Sequence, residues 1–375
     1  TVSTGEIVAL EAQVARTPEP VLGTDGRWHA VYEVYLLNSA PVPQALTLIE
    51  VIDARNDRAL LRFDTPEAIR AVTTTSTTAG DGVDELPPNA GGVVFVDLSA
   101  KRRGALPKQI EHRFVSQIED VELSFTGAAT NVSARPAVRI SPPLVGDGYM
   151  NENGCCGRSD HTRAVLTIDG TRWLAQRFAI DWIRLDDQDR PYVGDFRVNE
   201  NWIVYGDPIV SASGGRVLET LSTLPENTPP TPASNLTSFT ALGNHVIVDM
   251  GNGRYALYAH MQPGSVAVRV GQRVRPGQLL GRVGNTGSST APHLHFHVTD
   301  GPAAIGSNGA PWVFHRFDLA ARALNADEVN ADDPAPVAIL EDASPPRIRM
   351  NQMPLKGDVV NFGGSREKVL ARGTR

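Results

Sequence analysis

The sequence predicts a mainly β protein, in which an N-terminal immunoglobulin-like β-sandwich precedes a second antiparallel β-sheet domain. Apolar and polar residues alternate in one short run after another, the period of half-buried strands. Among 375 residues there are 34 glycines and 27 prolines, which favour turns over long helices. Turn pairs such as Asn56-Asp57 and Asp169-Gly170 separate the runs. The expected divisions are 1–140 as an accessory sandwich, 141–160 as linker and loop, 161–325 as the second domain and 326–375 as an irregular tail.

In the first region, strands are expected at Trp28–Leu37, Leu46–Ile52, Ala59–Phe63, Gly92–Leu98 and Ile110–Ile118, with a turn-rich stretch over Thr73–Gly82. His29 and His112 stand alone in the sequence and read as packed or surface histidines. This region suits positioning, dimerisation or binding, and the oligomeric state is not encoded in any pattern. Ser141–Gly157 changes composition and reads as a linker. His161–Asp186 forms two β-rich runs around Asp169-Gly170, a pair suited to a type I′ hairpin turn. Thr223–Ser234 is an exposed Pro-rich loop, of the kind that rims a cleft. Strands return at Asn244–Met250, Tyr255–His260, Ser265–Val270, Leu279–Val283 and the histidine-rich segment after Pro292. A short helix is expected at Phe317–Asn325.

Thirty-five basic residues against 42 acidic ones give a net charge of -7, so the chain offers no broad electrostatic footprint for nucleic acid. No apolar run approaches the ~20 residues needed to span a bilayer. Thr1–Leu10 lacks a charged start followed by an apolar stretch, which fits a cytosolic chain or one whose targeting segment has been removed. The two cysteines, Cys155 and Cys156, are adjacent, so they build no disulfide framework; they either pair with each other or shape their loop.

His293-Leu294-His295-Phe296-His297 holds three of the nine histidines. In a strand, side chains at i, i+2 and i+4 share a face, about 7 Å apart at each step. Neutral imidazole is a common metal ligand and a proton carrier near neutral pH, so such a row in a cleft suits metal-assisted hydrolysis. The plainer reading is a polar strand face in solvent.

The surrounding segments decide between them. Gly243-Asn244-His245-Val246-Ile247-Val248-Asp249, Tyr258-Ala259-His260-Met261, Val270-Gly271-Gln272-Arg273-Val274, Gly277-Gln278-Leu279-Leu280-Gly281, Gly284-Asn285-Thr286-Gly287 and Ala291-Pro292-His293-Leu294-His295-Phe296 resemble, in order and spacing, the lysostaphin-type (LytM-type) zinc metallopeptidases. A weaker likeness reaches back to Tyr205–Val210 and Gly214–Val217. The resemblance implies a lysostaphin-type antiparallel β-sheet peptidase domain with a groove and one zinc ion. It implies peptide bonds of bacterial peptidoglycan, or another protein, as substrate, and an extracytoplasmic location. Zinc in that family is held by the histidine and aspartate of HxxxD and the second histidine of HxH. Asp181 and His295 match two of these ligands, and His260 and His293 match the two catalytic histidines.

Arg177 occupies the place of the family's first zinc histidine, and a guanidinium cannot be deprotonated to bind metal. His161 is the expected replacement, with Asp160 and the cysteine pair as alternatives. In a regular hairpin around Asp169-Gly170, His161 lies opposite Phe178 and needs one β-bulge to reach the face of Asp181. Arg177 itself suits a substrate carboxylate. His297 is either a partner of His295, an extra ligand or a cleft-edge residue, and His245 is a weaker cleft candidate. Two functions follow: a zinc metalloendopeptidase, or a catalytically inactive module that binds peptidoglycan or activates a partner hydrolase.

Overall fold

A computed structural model describes residues 8–75, 82–329 and 337–373. The chain divides into two compact units, one of Thr1–Leu22, Gly26–Ala137 and Arg163–Arg172, the other of Gly23–Asp25, Val138–Thr162 and Trp173–Arg375.

The first unit contains two antiparallel five-stranded sheets. One runs in the order Leu10–Val14, Trp28–Asn38, Gly91–Ala100 and Thr73–Thr75, with Val21–Leu22 also paired to Trp28–Asn38. The other runs Val121–Asn131, Gln109–Ile118, Gln44–Asp53 and Arg58–Phe63, with Glu85–Leu86 on Gln44–Asp53. The five expected strands are present, each within two residues of its expected ends. Alternate residues of both sheets meet in one core: Tyr32, Val34, Leu36, Val94, Val96 and Leu98 from the first, Ile49, Val51, Ile110 and Phe114 from the second. Each such side chain contributes about 1.5–3 kcal/mol by leaving water. Part of the expected Thr73–Gly82 turn region, residues 76–81, lies outside the described residues. The Asp169-Gly170 turn forms as expected, with φ of 49° and 75° between Leu166–Ile168 and Thr171–Trp173. Arg172 places its guanidinium 4.8 Å from the Tyr35 ring centre.

The second unit is built on one sheet with eleven strands among the described residues. Its order is Arg273–Val274, Gly215–Leu221, Asn244–Gly251, Arg254–Met261, Leu294–Thr299, Ile180–Arg184, Tyr149–Asn151, Asp358–Asn361, Phe317–Ala323 and Leu340–Asp342, with Ile348–Arg349 on Phe317–Ala323. The Leu294–Thr299 strand has two faces of opposite chemistry. Leu294, Phe296 and Val298 lie among apolar residues, where Phe296 meets Tyr258 at a tilt and Trp312 edge to face, each with ring centres 5.2 Å apart. His295 and His297 take the other face. Such aromatic pairs add about 0.5–1.5 kcal/mol beyond burial and fix the strand that carries the histidines.

Several expectations fail here, the largest of them because sheet pairing overrides local preference. Phe317–Asn325 is not a helix; Phe317–Ala323 is a strand whose residues 317, 319, 321 and 323 are buried in alternation. Residues 326–375 are not an irregular tail, because Asp358–Asn361 pairs with both Tyr149–Asn151 and Phe317–Ala323, and Arg366–Gly373 is helical. Residues 330–336 and 374–375 of that stretch lie outside the described residues. The 141–160 linker contains the central strand Tyr149–Asn151. Ser265–Val270 forms no strand. No helix among the described residues is long and apolar enough to cross a membrane.

Candidate metal centre

Asp181 lies directly across from His295 in the pairing of Ile180–Arg184 with Leu294–Thr299, so both side chains share one face. His295 Nδ1 stands 2.8 Å from Asp181 Oδ1. His293, one position before the strand begins, places Nε2 3.4 Å from the same oxygen. The other carboxylate oxygen, Oδ2, faces His161 Nε2 at 3.1 Å and accepts from Asn153 Nδ2 at 3.2 Å.

His260 reaches this face by a local device. Its neighbour Ala259 pairs with His295, so regular alternation would turn His260 to the far face. His260 instead has a φ of 60°, in the left-handed region that costs a non-glycine residue of order 1–3 kcal/mol. Its ring lies 4.8 Å from that of His293 and 5.7 Å from that of His295. The backbone strain is thus located at a residue that parity would have excluded.

The expected hairpin path to His161 is wrong, although His161 arrives. The hairpin around Asp169-Gly170 is short, and His161 lies before it on a one-turn helix, Asp160–Arg163. No β-bulge is involved, and the alternatives are not what meets Asp181. Cys155 and Cys156 are joined in a disulfide. Arg177 is buried and donates from Nη1 to Gly309 O at 3.1 Å, which pins that loop instead of presenting an open carboxylate receptor.

Hydrogen bonds to the histidines orient them. His260 Nδ1 lies 2.7 Å from Thr286 O, and His293 Nδ1 lies 2.8 Å from Ala291 O. Placing a proton on each Nδ1 leaves both Nε2 atoms toward the centre. His295 Nε2 lies 3.0 Å from His297 Nδ1, so fully buried His297 backs His295 and does not stand at the cleft edge. His245 is drawn elsewhere, between Gly243 O at 2.8 Å and Glu219 Oε1 at 2.9 Å.

The electrostatics centre on one carboxylate. Burial pushes the Asp181 carboxyl up, but the imidazoles of His161, His293 and His295 outweigh it and hold the group well below the usual range. Burial pulls His293 down, yet the adjacent Asp181 charge raises it to about 9. His161 is raised by the same carboxylate against the same burial. Burial first, then the neighbouring histidines, drive His260 well below its ordinary value. Burial also dominates at His295 and His297, both lowered.

Two overlapping groups bring ligand atoms within 4.8 Å of one another: His161, Asp181 and His295, and His260, His293 and His295. The first combines two imidazoles with a carboxylate. Tetrahedral zinc with bonds of ~2.0–2.1 Å needs donors roughly 3.3 Å apart; His295 Nδ1 lies 2.8 Å from Oδ1 of Asp181 and His161 Nε2 3.1 Å from Oδ2, so each imidazole faces its own carboxylate oxygen and the three ligand atoms lie within 4.8 Å of one another. The donor chemistry and spacing therefore fit zinc.

Residues 202–307 match Peptidase family M23. The match covers His260, His293, His295 and His297 but begins after His161, Arg177 and Asp181. Among curated proteins, the chain is 41% identical over 56 residues to peptidoglycan DD-endopeptidase ShyA of Vibrio cholerae, covering 15% of this chain and 13% of that protein. It is 46% identical over 56 residues to DD-carboxypeptidase/endopeptidase Mpg of Neisseria meningitidis, covering 15% and 12% respectively. The chain thus spans about an eighth of the length of these relatives. Among solved structures, the catalytic domain of the prophage-encoded M23 protein EnpA of Enterococcus faecalis is 20% identical, covering 46% of this chain and 92% of that one, with a TM-score of 0.25.

Proposed function

We propose, from the M23 peptidase domain that residues 202–307 carry, that the protein is a zinc metalloendopeptidase acting outside the cytoplasm on peptide bonds of bacterial peptidoglycan. The observation that carries this reading is the convergence of His161, Asp181 and His295 from three separate segments onto one point. His161, Asp181 and His295 would hold the ion, which when bound would make water acidic and polarise a carbonyl.

The remaining steps belong to the chain's own side chains. His260, kept neutral by burial and its histidine neighbours, would take a proton from the attacking water and pass it to the leaving amine, and His293, kept protonated beside Asp181, would hydrogen-bond the developing oxyanion. Thr286 O and Ala291 O fix their ring orientations through Nδ1. His297 accepts from His295 Nε2 and so keeps His295 Nδ1 directed at Asp181 and the metal. Asn153 holds the Asp181 carboxylate through Oδ2, the oxygen that faces His161.

The inactive-module reading rested on an empty first-ligand position. His161 Nε2, 3.1 Å from Asp181 Oδ2, supports the enzyme reading over it. Purified protein should hold near one equivalent of zinc and release peptides from peptidoglycan sacculi, with a chelator stopping release and zinc restoring it. Failure to take up zinc on reconstitution overturns the enzyme reading, and binding to sacculi without cleavage would put the module in its place.

A further inference from the structure

The ligands of the candidate centre are supported unequally. Asp181 and His295 stand on paired strands of the large sheet. His161 stands on a four-residue helix, far below the ~12–15 residues at which an isolated helix becomes even marginally stable. Hydrogen bonds within Gly157–Thr162 fix its internal shape: Ser159 N donates to Thr162 Oγ1 at 3.0 Å, Thr162 N to Ser159 Oγ at 3.2 Å, and Thr162 Oγ1 to Gly157 O at 3.0 Å. They do not fix where that turn stands relative to Asp181.

The segment leading into it is held by the C-terminal part of the chain. Asn151, fully buried, donates from Nδ2 to Pro354 O at 3.1 Å, and its own carbonyl accepts from Gly357 N at 2.7 Å. Four residues on, Cys155 O accepts from Lys356 N at 3.1 Å. Gly154 lies so close to the Asn151 amide that an added Cβ would stand 2.4 Å from Oδ1. Pro354–Gly357 therefore lies along 151–155 as a brace. The brace is itself anchored by buried Asp358, whose Oδ2 accepts from Leu355 N at 2.8 Å and from the Thr24 hydroxyl, while Oδ1 accepts from Arg322 Nη2 at 3.0 Å. Asn151 and the brace lie outside residues 202–307.

We propose that Pro354–Asp358, acting through Asn151 and Cys155, is a built-in positioning element for His161, with Asn151 as its principal positioning residue. The inference rests on the reading that His161 binds metal. It assigns to a C-terminal segment remote in sequence the task that strand pairing performs for Asp181 and His295. Groups that orient a metal ligand typically change metal affinity 10–100-fold when removed.

Zinc affinity measured by competition with a chromophoric chelator tests this on the full chain. Asn151→Asp keeps the shape but removes the donor to Pro354 O; it should weaken zinc binding ~10–100-fold while the metal-free protein keeps its circular dichroism. Wild-type zinc affinity in Asn151→Asp overturns the proposal, whereas a wild-type chain that takes up no zinc overturns the metal reading instead. Hydrogen exchange of the unmutated protein covers the case in which the variant does not fold. Zinc should slow exchange at Lys356 and Gly357, neither of them a ligand, and unchanged exchange there overturns the proposal.

Discussion

The second unit gathers five of its histidines into one cluster, whereas the N-terminal unit keeps its two apart. In the N-terminal unit each stands apart from the other with its own polar partner: His29 Nδ1 lies 3.0 Å from Asp97, and His112 lies between the Tyr32 hydroxyl at 2.8 Å and Ala128 O at 3.0 Å. In the second unit His161, His260, His293, His295 and His297 crowd around Asp181. A satisfied single imidazole stabilises a core. Several imidazoles around one carboxylate repel one another when protonated and cost stability that only a bound cation or chemistry repays.

The comparison breaks first at Asp181. Asp181→Ala removes the only carboxylate of the group and leaves the weaker influence of Glu152 as the negative charge acting on His161 and His293, so zinc affinity should fall at least ~1000-fold and peptidoglycan cleavage should become undetectable. Metal content after dialysis checks this; retention of one zinc would move the site to His260, His293 and His295.

The next effect is on stability, in the other unit. Burial holds His112 at about 4, below the ~6.5 of an unfolded histidine. Between those values the unfolded chain binds a proton that the folded chain refuses. The contribution is thus fully present above pH 6.5 and is lost as pH falls toward 4, by about 3 kcal/mol. Hydrogen exchange of the Gln109–Ile118 amides at pH 7 and 4.5 should show that loss in the wild type and much less of it in His112→Gln. Equal losses would sink the assignment.

How much of this was legible in the sequence follows the range of the interactions. Strand alternation is local, so Trp28–Asn38 and the histidine row could be read directly, whereas Asp181 was reached through the resemblance. His260 was found by resemblance alone, since only a positive φ brings it to the correct face. His161 was expected at the centre for a geometric reason that does not hold, because a one-turn helix leaves no periodic signal. The Ala-rich segment Phe317–Ala323 suggested helix by propensity, and the partner that makes it a strand lies at Asp358–Asn361.

His297 and His29 supply the finest contrast, since each has a close polar partner and His297 alone of the two touches the candidate metal centre. His297→Phe keeps a buried ring but removes the acceptor for His295 Nε2, so zinc affinity should fall ~10–100-fold with little change in the fold. His29 faces Asp97, which is partly exposed, and such pairs contribute about 0–1 kcal/mol. His29→Gln should therefore shift the urea midpoint only slightly and leave zinc affinity and cleavage at wild-type values. Chelator competition on both variants measures the difference. If His297→Phe binds zinc as tightly as His29→Gln does, burial beside a ligand carries no more meaning than burial in a sheet core, and the role of His297 contracts to packing.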